Sequence, residues 1–208
     1  MMKIFHKHLP LYCTSVFLFS LEPVIALDLT PRASFIQGNE GPPTQVTEFT
    51  DGKNKAQWLP PAGWLVNGGA SSASLSAPDG SGAWMKLIVV KKSAPTPTPA
   101  PTPQADADSS TPPDDMQAQA MQFIPAGAKN VVFVKTVPSP FLLSGRPSTE
   151  FIFTFARYGS RDSISISFVD YSDTERLMVI ISAGGKDFEK VRSAAISSLF
   201  SWRISKGA

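Results

Sequence analysis

The stretch STEFIFTFARYGSRDSISISFVDYS, residues 148–172, decides the fold because apolar and polar residues alternate along much of it. Phenylalanine occupies every second position from Phe151 to Phe155, and from Ser163 to Phe168 serines alternate with apolar residues. A period of two residues places successive side chains on opposite faces of a β-strand. The stretch therefore predicts two adjacent strands, with a serine face that is wetter than the opposite face.

Further strand-like runs lie on both sides of this stretch. KNVVFVKTV (129–137) precedes it and ERLMVIISAGG (175–185) follows it, and turn residues separate the runs. Such short connections join antiparallel neighbours, so the four runs predict a meander. Farther upstream, SASLSAPDGSGAWMKLIVVKK (72–92) has two short apolar runs around a Gly-rich turn, which indicates a hairpin.

Two helices are expected, one before and one after the meander. PPDDMQAQAMQFI (112–124) offers Asp114 or Asp115 as a cap. DFEKVRSAAISSLFSWRI (187–204) has Asp187 as its cap and an apolar stripe at helical spacing: Phe188, Val191, Ala195, Leu199 and Trp202. The predicted fold class is α+β, with one antiparallel sheet of about six strands and helices packed on its faces.

The tract KKSAPTPTPAPTPQADADSSTPPDDM (91–116) divides the chain. The piece before it, residues 58–92, holds one hairpin and is too short to offset its ordering entropy alone. Its strands must therefore complete the sheet of the second half. We predict one domain over residues 56–206, with a disordered Pro/Thr/Ala-rich insertion at 93–113.

The N-terminus has the pattern of a secretory signal peptide. Lysines precede an uncharged run of 13 residues, Leu9–Leu21, whereas crossing a membrane takes about 20. Val24 and Ala26 fit the small-residue cleavage pattern, so residues 1–26 are predicted to be removed after Ala26. The protein is then exported to the periplasm or the medium without stable membrane insertion. Residues 27–55 are polar and rich in Pro and Gly, and predict a flexible arm.

Cleavage would remove Cys13, His6 and His8, which are all the cysteine and histidine of the chain. The mature protein would lack disulfides, thiolate nucleophiles, Ser-His-Asp triads and the usual transition-metal ligands. We expect no cofactor, no metal and no catalytic residue. The net charge of +2 and the scattered basic residues indicate no nucleic-acid partner.

The remaining carboxylates offer two alternatives. Asp170, Asp173 and Glu175 could bind Ca²⁺, but the loop order of a calcium site is absent and a solvated hairpin turn is favoured. Glu150 and Glu189 could act as paired acids in glycoside hydrolysis, although nothing in the sequence brings them together.

A candidate partner contact lies in PSPFLLSGRPSTE, residues 138–150. Phe141, Leu142 and Leu143 follow a Pro-rich bend without clear alternation, and an exposed apolar tip of this kind marks a contact surface, with Arg146 as its polar rim. The alternative, which burial preferences favour, is an irregular strand that packs these side chains inward.

Several of these features together resemble the PsbP-like family. They are the W-x-x-P-x-G-W motif (Trp58, Pro61, Gly63, Trp64), the hairpin, the midchain helix, the meander and the final FEKVRSAAISSLFSW helix. The resemblance covers residues 58–204 and carries no chemistry. It implies an antiparallel sheet with helices on its faces and docking to a partner without catalysis. Metal contacts of plant PsbP rely partly on histidine, so no metal site is carried over.

The sequence thus predicts an exported, non-catalytic accessory domain that docks to an envelope protein or polymer. The alternative is a carboxylate-dependent hydrolase of envelope glycan or lipid.

N-terminal sequencing of the native protein tests the basis of this interpretation. We expect the first residue to be Leu27, because signal peptidase recognises the small residues before it. A native chain that begins at Met1 or Met2 would restore the cysteine and both histidines, and with them thiol and imidazole chemistry.

Overall fold

The fold is seen in a computed structural model that describes residues 27–37, 41–92 and 114–206. The predicted signal peptide and the predicted insertion at 93–113 lie outside these residues. The described chain forms eleven strands in two antiparallel sheets, together with two short helices.

The small sheet contains β1 (Leu27–Ile36), β2 (Thr44–Asp51), β3 (Asn54–Trp58) and β11 (Arg203–Lys206), in the order β1-β2-β3-β11. The large sheet contains β4 (Leu65–Gly69), β5 (Ser72–Ser76), β6 (Trp84–Lys91), β7 (Lys129–Leu143), β8 (Arg146–Arg157), β9 (Ser160–Asp170) and β10 (Glu175–Gly184). Its order is β4-β5-β6-β10-β9-β8-β7. The helices are α1 (Asp114–Met121) and α2 (Phe188–Leu199).

The meander and the upstream hairpin are both confirmed. Strands β7 to β10 pair antiparallel in chain order, and β5 pairs with β6. Strand β6 then pairs with β10 over its whole length, from Glu175 opposite Lys91 to Ser182 opposite Trp84. The two parts of the chain on either side of the Pro-rich tract therefore share one sheet, as predicted.

The predicted fold class, α+β with one sheet of about six strands and helices packed on its faces, is wrong. The described part of the chain is mostly β, with two antiparallel sheets and only two short helices. The prediction missed β1 to β4 and β11 because their apolar residues are few and do not alternate over a long run. Strands β1, β2 and β3 are stabilised by burial against the large sheet, and β4 and β11 are stabilised by pairing with β5 and β3. Both are tertiary effects that local patterns do not report.

The prediction of a flexible arm over residues 27–55 also fails where the structure describes these residues. They form β1, β2 and the first two residues of β3. Leu27, Leu29 and Phe49 are buried in the core. Residues that seemed isolated in the sequence are thus brought together by strand pairing.

The central strands of the large sheet, β8 to β10, are buried on both faces. The phenylalanine face of β8 packs with Ile164, Ile166 and Phe168 under α1, through Ala120. The serine face lies against the core that includes residues of α2 and of the small sheet. Ser165 and Ser167 are fully buried, so the expectation that this face is wetter is wrong. The serines are small enough to let α2 approach the sheet.

A buried ion pair holds α2 against this face. Arg192 donates from Nε to Glu150 Oε1 at 2.7 Å and from Nη2 to Glu150 Oε2, and the Ser165 hydroxyl also donates to Oε1. Glu150 is fully buried. The hydrogen bonds to Glu150 raise the pKa of Arg192. Asp187 precedes α2, but its side chain accepts no capping hydrogen bond, contrary to expectation.

Replacing Arg192 with leucine should strongly destabilise the protein, because the carboxylate of Glu150 is left buried without its partner. We expect the free energy of unfolding, measured in urea, to fall by about 3–5 kcal/mol. Glu150→Gln in the same chain should recover part of this loss. The matched control is Lys190→Leu at an exposed position of α2, which should change stability by about 0.5 kcal/mol or less. A loss no larger for Arg192→Leu than for the control would contradict the ion-pair argument.

Candidate binding groove

The loop Leu59–Trp64 carries the chain from the small sheet to the large sheet, and its start is fixed on the end of α2. Trp58 is fully buried and donates from its indole Nε1 to the carbonyl oxygen of Ser198 at 3.1 Å. Its ring centroid lies 6.1 Å from that of Trp202. The Leu59 N–H donates to the hydroxyl of Ser201 at 2.8 Å. The loop therefore leaves the core in a fixed direction.

The loop itself has a restricted conformation. Pro60 and Pro61 fix their own φ angles, and the Trp64 N–H donates to the Pro61 carbonyl at 3.1 Å. Gly63 has φ of 78°, a region that favours glycine, and a Cβ there would lie 3.3 Å from Pro78 Cγ. Trp64 is half-buried against the core, and Leu65 points to solvent.

Between this loop and strands β1 and β2 lies an open groove of about 450 Å³, which we call the Pro/Trp groove. This volume falls in the range of small-ligand sites. Most of the described residues that line it are of apolar type, and Arg32 is the only charged one among them: Pro31, Arg32, Ala33, Gln45, Val46, Thr47, Leu59, Pro60, Pro61, Ala62, Gly63, Trp64, Leu65 and Val66.

Large apolar side chains are exposed around the Pro/Trp groove. Leu59 is 44% exposed and Leu65 is 69% exposed, and both line the groove. Phe35, 66% exposed, pairs across the strands with the lining residue Gln45. Single exposed apolar residues are ordinary, but a group of them at a groove indicates a contact surface.

The contact site predicted from the sequence is mostly core. Phe141 and Leu143 are buried in the core between the sheets, which agrees with the alternative of an irregular strand that packs inward. Leu142 is 48% exposed. The Ser148 hydroxyl donates to the Phe141 carbonyl at 2.7 Å and fixes this irregular stretch. Arg146 lies over the ring of Tyr171, 5.2 Å from its centroid. A partner contact through Leu142 and Arg146 stays a prediction.

Glu150 and Glu189, the two acids considered for hydrolysis, lie close together because both bind the guanidinium of Arg192. Glu189 accepts from Arg192 Nη1 at 3.4 Å, while Glu150 accepts from Nε and Nη2 of the same side chain. Glu150 is fully buried. This pair does not have the two opposed carboxyl groups across a cleft that glycoside hydrolysis uses.

The acidic run 170–175 forms a turn, as the favoured alternative predicted. Asp170 pairs with Arg176 at 2.8 Å and with Lys92 at 3.4 Å. The N–H groups of Tyr171 and Ser172 both donate to the Glu175 carbonyl. Within residues 27–37, 41–92 and 114–206, no group of three or more acidic, cysteine or histidine side chains is placed to hold a metal ion.

Comparison with known proteins shows no family for this chain and finds distant structural neighbours. No family model matches the chain, and no curated protein matches it. A solved structure of LpqN, a protein involved in cell envelope biogenesis in Mycobacterium tuberculosis, is 13% identical and has a TM-score of 0.45, covering 84% of this chain and 91% of LpqN. PA94, a protein of unknown function from Pseudomonas aeruginosa, is 12% identical with a TM-score of 0.38, covering 81% of this chain and 94% of that protein. The PsbP-like resemblance stays a prediction.

Neither helix in the described ranges is long and apolar enough to cross a membrane.

The stability of the protein should fall in alkaline solution because of Tyr171. Burial, with a smaller contribution from the charge of Asp51, raises the pKa of its hydroxyl well above the ordinary value. The folded state disfavours the phenolate form of Tyr171 relative to the unfolded state, in which the tyrosine pKa is about 10. The contribution of Tyr171 to the free energy of unfolding is therefore complete below pH about 10 and is lost as the pH rises above it.

Tyr171→Phe should remove most of this pH dependence. No described residue lies at hydrogen-bonding distance and angle from the Tyr171 hydroxyl. The substitution should therefore change the free energy of unfolding at pH 7 by about 1 kcal/mol or less. Urea unfolding of both proteins from pH 8 to pH 11 makes the comparison. Parallel stability curves for the two proteins would show that Tyr171 does not cause the effect.

Proposed function

We propose that the protein is an exported, non-catalytic interaction domain that binds an apolar segment of an envelope protein or polymer in the Pro/Trp groove. The observation that carries this proposal is the exposed apolar rim of a groove whose loop is fixed by two prolines, a glycine turn and a tryptophan anchor. Export is the prediction from the N-terminal sequence.

The fixed loop favours binding because little conformational entropy remains to be lost. Ordering a flexible loop on association would cost part of the interaction free energy, and the contacts to Ser198 and Ser201 hold this loop before any partner arrives. Complete burial of an exposed leucine contributes about 1.5–3 kcal/mol. Covering the exposed parts of Leu59 and Leu65 is thus a substantial part of the free energy of a micromolar complex, which is about 8 kcal/mol.

The charges of the Pro/Trp groove restrict the partner. Among the residues that the structure describes, Arg32 is the only charged one in the lining, and none of the lining residues is acidic. An apolar segment that is uncharged or carries one carboxylate or phosphate fits this lining. A segment rich in lysine or arginine would meet no compensating charge in the groove.

The hydrolase alternative has less support. A carboxylate-dependent mechanism uses two acids beside the bound substrate, and none of the described residues that line the Pro/Trp groove is acidic. Glu150 and Glu189 are engaged with Arg192. Binding is therefore the function that the geometry favours.

Photo-crosslinking in the native cell tests the proposal. A photoreactive phenylalanine at position 65 should crosslink to a specific envelope component, because Leu65 is exposed at the groove. The matched site is Leu142, which is also an exposed leucine but lies in the contact predicted from the sequence. A specific product from position 142 and none from position 65 would show that the partner binds near Leu142 and not in the Pro/Trp groove.

The affinity of the purified protein for the crosslinked component gives the quantitative test. Leu65→Asp should raise the Kd about tenfold or more, because it places a charge where an apolar contact forms. Leu142→Asp should leave the Kd unchanged within about twofold, and thermal unfolding would show that both variants are folded. Equal affinities for the Leu65→Asp variant and the unmodified protein would reject the groove as the binding site.

A further inference from the structure

Strand β7 is the open edge of the large sheet. It lies at one end of the strand order, with β4 at the other end, and within the described residues no strand pairs with its outer side. Four consecutive apolar residues of β7, Val131 to Val134, are each 38–53% exposed. A long apolar edge strand is a ready template for pairing with another chain.

The irregular pairing of β7 explains why both of its faces remain apolar and exposed. Its register against β8 shifts between Lys129 and Val132 and again between Phe133 and Lys135. Each shift adds a residue to β7 and disturbs the alternation of its side chains. Phe133 touches Phe153 at a centroid distance of 5.5 Å, but neither helix covers the run as a whole. The described part of the chain therefore leaves the surface of Val131 to Val134 partly uncovered.

The backbone limits the pairing site to the first part of β7. An edge strand presents outward N–H and C=O groups, and proline has no N–H to donate. Pro138 and Pro140 lie in the second part of the strand. Outward hydrogen bonding is thus available chiefly from residues 129–137, which include the exposed apolar run.

Charge disfavours a second copy of this chain as the occupant. The only charged residues of β7 are Lys129 and Lys135, both exposed. In an antiparallel pair of two β7 strands centred on Val132, Lys129 of one copy would lie opposite Lys135 of the other. Like charges in direct opposition destabilise a strand pair, and lysines on edge strands protect against self-association.

We propose that residues 129–137 bind, by strand addition, an extended segment of a partner protein that alternates apolar residues with aspartate or glutamate. The acidic side chains would lie beside Lys129 and Lys135, and the apolar side chains, which share the other face of the added strand, would cover the residues of the run Val131 to Val134 on that face. Because β4 contributes to the Pro/Trp groove and β7 forms the opposite edge of the sheet, this surface is separate from the groove.

Calorimetric titration with synthetic peptides tests the inference on the whole purified protein. A peptide of alternating valine and glutamate should bind about tenfold more tightly than one of alternating valine and lysine. Lys129→Glu with Lys135→Glu should reverse this preference. Lys53→Glu with Lys206→Glu, an equal charge change at exposed positions of the small sheet, should leave it unchanged.

Hydrogen exchange separates strand pairing from general charge attraction. The valine–glutamate peptide should slow the exchange of backbone amides within residues 131–137, because strand addition occupies outward N–H groups. Equal affinity for both peptides, binding to neither, or tight binding without protection in this range would overturn the proposal. A dimer of the unmodified protein that is lost in Val132→Asp would overturn it as well, since the occupant would then be a second copy.

Discussion

The fold depends on the contact between the small sheet, the end of α2 and the large sheet. The rings of Phe49, Trp58 and Trp202 pack together there, with centroid distances of 5.5–6.3 Å. Truncating a buried aromatic side chain of this kind costs about 3–5 kcal/mol. This cluster connects β2, β3 and the chain that follows α2, so it brings segments from both ends of the described chain against one face of the large sheet.

The position of the small sheet explains both the buried serines and the Pro/Trp groove. The small sheet shares one core with α2, which covers the serine face of β9, and the ion pair of Glu150 and Arg192 satisfies the charges that this burial encloses. Beyond the aromatic cluster the small sheet continues past the loop Leu59–Trp64, and the space left between them is the groove. A packing requirement thus creates a surface suited to binding.

The sequence predicted those parts of the fold whose local pattern agrees with their tertiary position. Strands β8 and β9 alternate over much of their length, so the sequence predicts them, whereas β1 contains Pro31 and a register shift and has the composition of a flexible arm. The groove could not be predicted, because six of its fourteen lining residues come from residues 27–55. The apolar run of β7 was predicted as a strand, but whether it lies at an edge depends on the topology of the whole sheet, which periodicity does not contain.

The most direct test of this account is the hydrogen exchange of residues 27–58 in the free protein. If the small sheet is fixed by the aromatic cluster, the paired amides of β2 and β3 should be protected to an extent comparable with those of β9 and β10. Exchange of these amides at the rate of an unfolded chain, while β9 and β10 remain protected, would show that the segment is an arm after all. The interpretation of the groove would then fail with it.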